Sequence, residues 1–124
     1  MDEVIVFAGM RVLLVASQDP KLENGRDAND LLSAAWSQKA DFLAIPVSRL
    51  GPDFLNLSTR VAGEVLQKFV TYGMRCAIVG DLAANVMESR ALRDSVREAN
   101  RGRSVWFVAD LDELRVKILG DQVS

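Results

Sequence analysis

The sequence predicts an α/β fold in a single domain: a mixed sheet opened by an antiparallel N-terminal hairpin and continued by βαβ units, with helices packed on the sheet. Three observations carry this. Asp41 to Asp81 reads as strand, long helix and strand; two parallel strands cannot be joined by a tight turn, so the unit is a right-handed crossover. Ahead of it, two short β-type runs flank Gly9-Met10-Arg11, the pattern of a hairpin. Finally, 124 residues suffice for one hydrophobic core but not two, so residues 1–124 are expected to form one domain.

In chain order, Val4 to Ala8 and Val12 to Ala16 are the hairpin strands. Val12-Leu-Leu-Val-Ala is apolar throughout, as a strand covered on both faces should be, whereas the first strand has the mixed character of an edge. Ser17 to Arg26 is rich in turn formers and is expected to be an exposed, mobile loop. Asp27 to Lys39 is a helix with Asp27 as N-cap, and Leu31, Leu32, Ala35 and Trp36 fall at the spacing that faces the sheet.

The strand Asp41 to Val47 should end or bulge at Pro46, which lacks a ladder donor. A bend from Ser48 to Asp53 leads to an amphipathic helix from about Ser58 to Tyr72. Val61, Ala62, Val65, Leu66, Phe69 and Val70 form its apolar stripe, and Arg60, Glu64, Gln67, Lys68 and Thr71 the opposite side. Glu64 and Lys68 stand four apart in the favourable order. Gly63 costs a helix interior about 1 kcal/mol, so the spacing predicts close backbone packing there, either within the chain or by another molecule.

Met74 to Gly80 is the next strand. Ala83 to Met87 has no clear period. Arg90 to Asn100 is a helix with Leu92, Val96 and Ala99 inward, followed by Gly102 at a left-handed C′ position. Ser104 to Ala109 is a strand, and Asp110-Leu-Asp-Glu113 has capping-box spacing for a last helix to about Leu119. Trp36 and Trp106 are expected in the core.

Composition narrows the chemistry. The apolar fraction is 49%, the charged fraction 26% and the net charge −2, so no nucleic-acid or anionic-membrane partner is expected, because such binding relies on clustered positive charge. The chain contains no histidine, which excludes His-dependent serine triads and Cys-His pairs. The lone Cys76 sits in an apolar run and should be inert. The opening Met1-Asp2-Glu3-Val4 is acidic where a signal peptide is basic, and no apolar run approaches the roughly 18 residues of a membrane span, so a cytoplasmic location is expected.

The order of elements, carried by Phe42 to Val47, the helix from Ser58-Thr59, the strand Cys76-Ala-Ile-Val-Gly80 and the helix Ala91 to Asn100, resembles the STAS domain of anti-sigma factor antagonists. In those antagonists a serine in an Asp-Ser-Ser-Gly stretch at the start of the equivalent helix is phosphorylated to switch partner binding. The resemblance implies that role for Ser58 or Thr59. Their stretch here is Asn56-Leu-Ser-Thr-Arg-Val61, lacking that aspartate and glycine. Asp53-Phe-Leu-Asn-Leu57, Ala62-Gly-Glu-Val-Leu-Gln-Lys-Phe69, Ala77-Ile-Val-Gly-Asp81 and Glu98-Ala-Asn-Arg-Gly102 are similar to the bacterial family termed domain of unknown function 4180, over about Arg26 to Leu119. That similarity implies no activity.

Two polar spots, Ser58-Thr59 and Gly80-Asp81, are expected at the same end of the sheet, where open α/β sheets place ligands. Ser58 or Thr59 serves either as N-cap or as an anion or phosphorylation site, since helix N-termini favour negative charge. Asn56, Arg60, Glu64, Gln67, Lys68, Asp81 and Arg101 complete the candidate surface. Asp81 with Asp53 or Glu64 offers paired oxygen ligands for magnesium, but no phosphate-cradling glycine loop is present, and neither metal nor cofactor is expected. Arg90, Arg93, Arg97, Arg101 and Arg103, interrupted by Asp94 and Glu98, read as an ion-paired face or a site for an acidic group.

Three functional readings follow. The first is a non-enzymatic cytoplasmic regulatory module that binds a protein partner, gated by phosphorylation or anion binding at the start of the long helix. The second is a small-molecule- or nucleotide-binding, weakly catalytic domain using a crevice of Ser58, Glu64, Asp81 and Arg101. The third is a structural homodimer pairing through the first strand or the long helix.

Overall fold

The computed structural model describes residues 2–17 and 21–123. One five-stranded sheet runs in the order β1 (Glu3–Phe7), β2 (Met10–Leu14), β3 (Phe42–Pro46), β4 (Arg75–Val79) and β5 (Val105–Val108). β1 and β2 are antiparallel, and β2 through β5 are parallel neighbours. The helices are α1 (Gly25–Ser37), α2 (Val61–Thr71), α3 (Ala83–Glu88), α4 (Arg90–Arg101) and α5 (Leu111–Val123). The expected class, a hairpin-opened mixed sheet with helices packed on it, is the one observed.

The hairpin turns on two residues, Ala8 and Gly9, both at positive φ (51° and 83°), so Phe7 pairs directly with Met10. This is the primed geometry whose twist matches that of the flanking strands. Met10 and Arg11, expected in the turn, belong to β2.

Alternation divides the core between the two faces of the sheet. Leu13, Leu43, Ile45, Cys76 and Ile78 face α1 and α2, joined by Leu31, Leu32, Val65 and Phe69. Val12, Phe42, Ala44, Ala77, Trp106 and Val108 face α5 through Leu114 and Ile118. β2 is therefore covered on both sides, as its unbroken apolar run predicts.

Several expectations at element ends are corrected. α1 starts earlier, with Asn24 as N-cap accepting from Arg26 N and Asp27 N, while Asp27 is the N3 partner in the capping box. The loop before it is less exposed than predicted. Leu22 is buried, and Leu22 N donates to Arg49 O while Gly51 N donates to Leu22 O. The mobility expected of Ser17 to Arg26 falls in part on residues 18–20, outside the described residues. Trp36 is 51% exposed. It lies on the flank of the α1 stripe and meets Tyr72 edge to face at 5.7 Å instead of reaching the sheet. Gly102 ends α4 with φ −90°, extended and not left-handed. The last helix runs to Val123 rather than Leu119.

Ala83–Glu88, without period in the sequence, forms one short helix, opened where Ala83 N donates to the Asp81 carboxylate at 2.9 Å. The capping-box spacing at Asp110 is realised more loosely. Glu113 N donates to Asp110 Oδ1 at 2.8 Å, while the Glu113 carboxylate accepts from Ala109 N at 3.4 Å.

Candidate functional site

The long helix does not begin at Ser58. Leu57–Thr59 form a single 3-10 turn, and Arg60, at φ 65°, turns left-handed before Val61 starts α2. Arg60 makes no side-chain cap. The hydroxyls before it are spent on the loop itself. Ser58 Oγ donates to Asn56 Oδ1 at 2.7 Å, and Thr59 Oγ1 lies 2.7 Å from Asp53 O and 2.8 Å from Asn56 O while accepting from Val61 N at 3.3 Å. Asn56 also caps the 3-10 turn through Ser58 N. Ser58, Thr59 and Arg60 are all exposed.

The polar side of α2 is only partly solvated. Glu64 Oε1 accepts from Gly25 N at 3.0 Å, placing a carboxylate on the first amide of α1. Lys68 lies over the same spot, its Cε 3.2 Å from where a side chain on Gly25 would begin. Gln67 donates to Thr71 Oγ1 at 3.2 Å. Glu64 and Lys68 thus hold α2 against α1, a use that helical periodicity cannot show.

Asp81 and Ser58 follow the ends of adjacent parallel strands, where Pro46 pairs with Val79, so both lie at the same end of the sheet. The pocket that Asp81 lines does not include Ser58. All three crossovers, through α1, α2 and α4, join neighbouring strands over the same face, so the sheet has no point where strand order reverses and a ligand crevice would open. Asp81 lines a shallow pocket of about 220 Å³ with Leu82, Val86, Phe107 and Glu113. Arg101, at the end of α4 and four residues before β5, belongs to the opposite end of the sheet, where it pairs with Glu98 at 3.8 Å. The crevice of Ser58, Glu64, Asp81 and Arg101 is therefore not assembled. Among the described residues no group of three or more Cys, Asp or Glu side chains converges as a metal cluster. Cys76 is buried, which pushes its thiol up to about 12.

The α2–α4 gap is the more distinctive feature. Phe54, Leu55 and Leu57 of the loop, Ala62, Gly63 and Leu66 of α2, Leu92, Ser95 and Ala99 of α4, and Val105 and Phe107 of β5 line an apolar groove of about 260 Å³. Beyond the neighbouring residues and backbone of α2 itself, no heavy atom lies within 4 Å of the position a Gly63 Cβ would take, so the close packing expected there is not supplied by another part of this chain among the described residues. Val70, predicted for the buried stripe, is 44% exposed on α2. Leu57 is one of the lining residues, and Ser58 is the next residue in the chain.

Sequence reasoning missed a cluster at the other end of the sheet. Asp121 receives two bonds from Arg103 at 2.8 Å each and pairs with Arg75 at 3.3 Å. The Arg103 bonds, with help from the Arg75 charge, hold its carboxyl below the usual range. Arg75 in turn lies over the rings of Trp106 (4.9 Å) and Phe42 (5.4 Å). Buried Arg49, which donates to Ala16 O at 2.7 Å, was also unforeseen. Nothing in the local sequence separates these arginines from surface ones.

Among the described residues, no helix is long and apolar enough to cross a membrane. A family model described as domain of unknown function (DUF4180) matches residues 7–118. No curated protein and no solved structure matches the chain.

Proposed function

The chain belongs to the DUF4180 family, and on that footing we propose that it is a non-enzymatic interaction module that takes an apolar segment of a protein partner into the α2–α4 groove, with Ser58 as its gate. The observation that carries this reading is the groove itself, an apolar recess lined by Leu57, with the exposed Ser58 as the next residue. Phosphorylation of Ser58 would place about two negative charges there, and an apolar segment entering the groove would have to strip water from them. The exposed Arg60 guanidinium stands two residues on, available to pair with a phosphate. The resemblance to anti-sigma factor antagonists supports the same use of this segment in bacterial cytoplasmic regulation. Against catalysis stand the inaccessible thiol of Cys76 and the structural duties of Glu64 and Asp81.

A small-ligand reading has a different location from the one the sequence indicated: a cavity of about 270 Å³ at the strand ends on the α5 face, lined by Leu14, Ser17, Ala44, Pro46, Val79 and Leu111. Thermal-shift screening against small acids and nucleotides tests it.

For the partner-docking reading, a photo-cross-linking residue at exposed Gln67, beside the groove, is the direct test. It should yield a discrete protein adduct in lysate of the source cells that Leu66→Asp and Ser58→Asp each abolish in a folded chain. The same probe at Val116, on the outer side of α5, should yield none. Adducts that persist in both variants, or that form equally from Val116, contradict the reading.

A further inference from the structure

The two edges of the sheet are treated differently. On β5 the outward backbone of Phe107 is closed by a side chain: Phe107 N donates to Asn100 Oδ1 at 2.7 Å, and Asn100 Nδ2 donates back to Phe107 O at 3.1 Å. This amide does the work of a further strand and blocks that edge.

Among the described residues β1 has no such cover. Because Phe7 and Met10 flank a two-residue primed turn, they exchange both hydrogen bonds, and so do Ile5 with Val12 and Glu3 with Leu14. The other side of β2 is used by β3, where Asp41 N donates to Arg11 O and Val15 N to Ala44 O. The N–H and C=O groups of Val4 and Val6 consequently point away from the sheet, and among the described residues nothing bonds to them. Neither proline, lysine nor a bulge guards Glu-Val-Ile-Val-Phe, and Val6 is 58% exposed. Nature usually blunts such an edge.

We propose that β1 pairs antiparallel with β1 of a second copy of this chain, about a two-fold axis at Ile5, joining two five-stranded sheets into one of ten strands. The sequence of β1 is self-complementary in this register. Val4 faces Val6 of the partner copy and Val6 faces Val4, each pair exchanging two backbone hydrogen bonds, so four outward donors and four acceptors per dimer are satisfied. The exposed Val6 side chain gains an apolar neighbour on the α1 face, since Val4 packs against that core. Ile5 opposes Ile5 on the other face, and Glu3 opposes Phe7, so no like charges are set directly across from each other. Register shifted by two residues either way would leave fewer pairs. An isologous contact of this kind closes on itself as a dimer and leaves the blocked β5 edges outermost.

The register gives a specific test on the full chain. Ile5 sits opposite itself in a non-hydrogen-bonded pair, where Cα atoms approach to about 4.5 Å, within disulfide range. Ile5→Cys should therefore oxidise to a disulfide-linked dimer, whereas Val6→Cys, which faces Val4, should not; Cys76 is buried and takes no part. In sedimentation equilibrium the unmodified chain should show twice its 13.6 kDa mass. Val6→Pro, which removes only an outward donor, and Val6→Lys should each return the mass to that of one chain with unchanged circular dichroism. A single-chain mass for the unmodified protein across a concentration series overturns the proposal. So does a dimer that survives both Val6 variants, or one in which Val6→Cys links as readily as Ile5→Cys.

Discussion

The carboxylate of Glu64 sits 3.0 Å from the amide nitrogen of Gly25. A side chain from the first turn of α2 thereby satisfies one of the orphan donors that open α1, at the end where the helix dipole favours negative charge. Removing it leaves that amide unpaired beneath Lys68. Glu64→Ala should cost about 1–2 kcal/mol, read as a lower urea midpoint at unchanged slope, and Glu64→Gln, which keeps an acceptor without the charge, should cost less.

Gly80 joins β4 to the loop that holds Asp81. At φ 149° a side chain there is strained, and its Cβ would lie 2.5 Å from Val47 Cγ2 and 2.8 Å from Val47 Cβ. Gly80→Ala should destabilise by about 2–4 kcal/mol. Val47→Ala removes the Cγ2 contact but keeps the Cβ contact and the backbone strain, so Gly80→Ala should cost less in a Val47→Ala background than in the unmodified chain, without becoming neutral.

Asp121 predicts an acid dependence. Its carboxyl is held low by Arg103 hydrogen bonds in the folded chain, while unfolded it titrates near 3.9. The unfolded state therefore binds the proton first as pH falls. The contribution is present in full above that value and is lost as pH drops through the lowered folded value. Asp121→Asn should flatten the dependence of the urea midpoint on pH in that acid window and lower stability near neutrality.

At Gly63 stability and binding should part company. Outside α2 itself nothing lies within 4 Å of an added Cβ, and alanine is the better helix former by about 1 kcal/mol. Gly63→Ala should raise the thermal midpoint of the free chain. The same methyl, placed on the groove lining, should weaken partner capture by the cross-linking assay.

Most of the fold was legible because it rests on periodicity. The unbroken Val12-Leu13-Leu14 run announced a strand covered twice, and the stripe through Ala62, Val65 and Phe69 announced α2. What stayed hidden depends on contacts between distant residues. Asp27 and Asn24 are both competent caps, and only Asp27's reach back to Glu23 N and Asn24 N shows which is N3. Ser58 and Thr59 resemble a helix start, yet the left-handed turn at Arg60 postpones the helix to Val61. Val70 fits the stripe by spacing but lies on the flank that α4 does not close. Gly63 was the one signal of the groove: its cost in a helix asked for a reason, and the chain alone does not provide it.

The central claim is that an apolar partner segment and a charge at Ser58 exclude each other. Its most direct measurement is a binding isotherm of the cross-linked partner, once purified, against the unmodified chain, Ser58→Ala and Ser58→Asp. Ser58→Ala should bind as the unmodified chain does, and Ser58→Asp should bind at least about tenfold more weakly, roughly 1.4 kcal/mol. Equal affinity for all three would contradict the account.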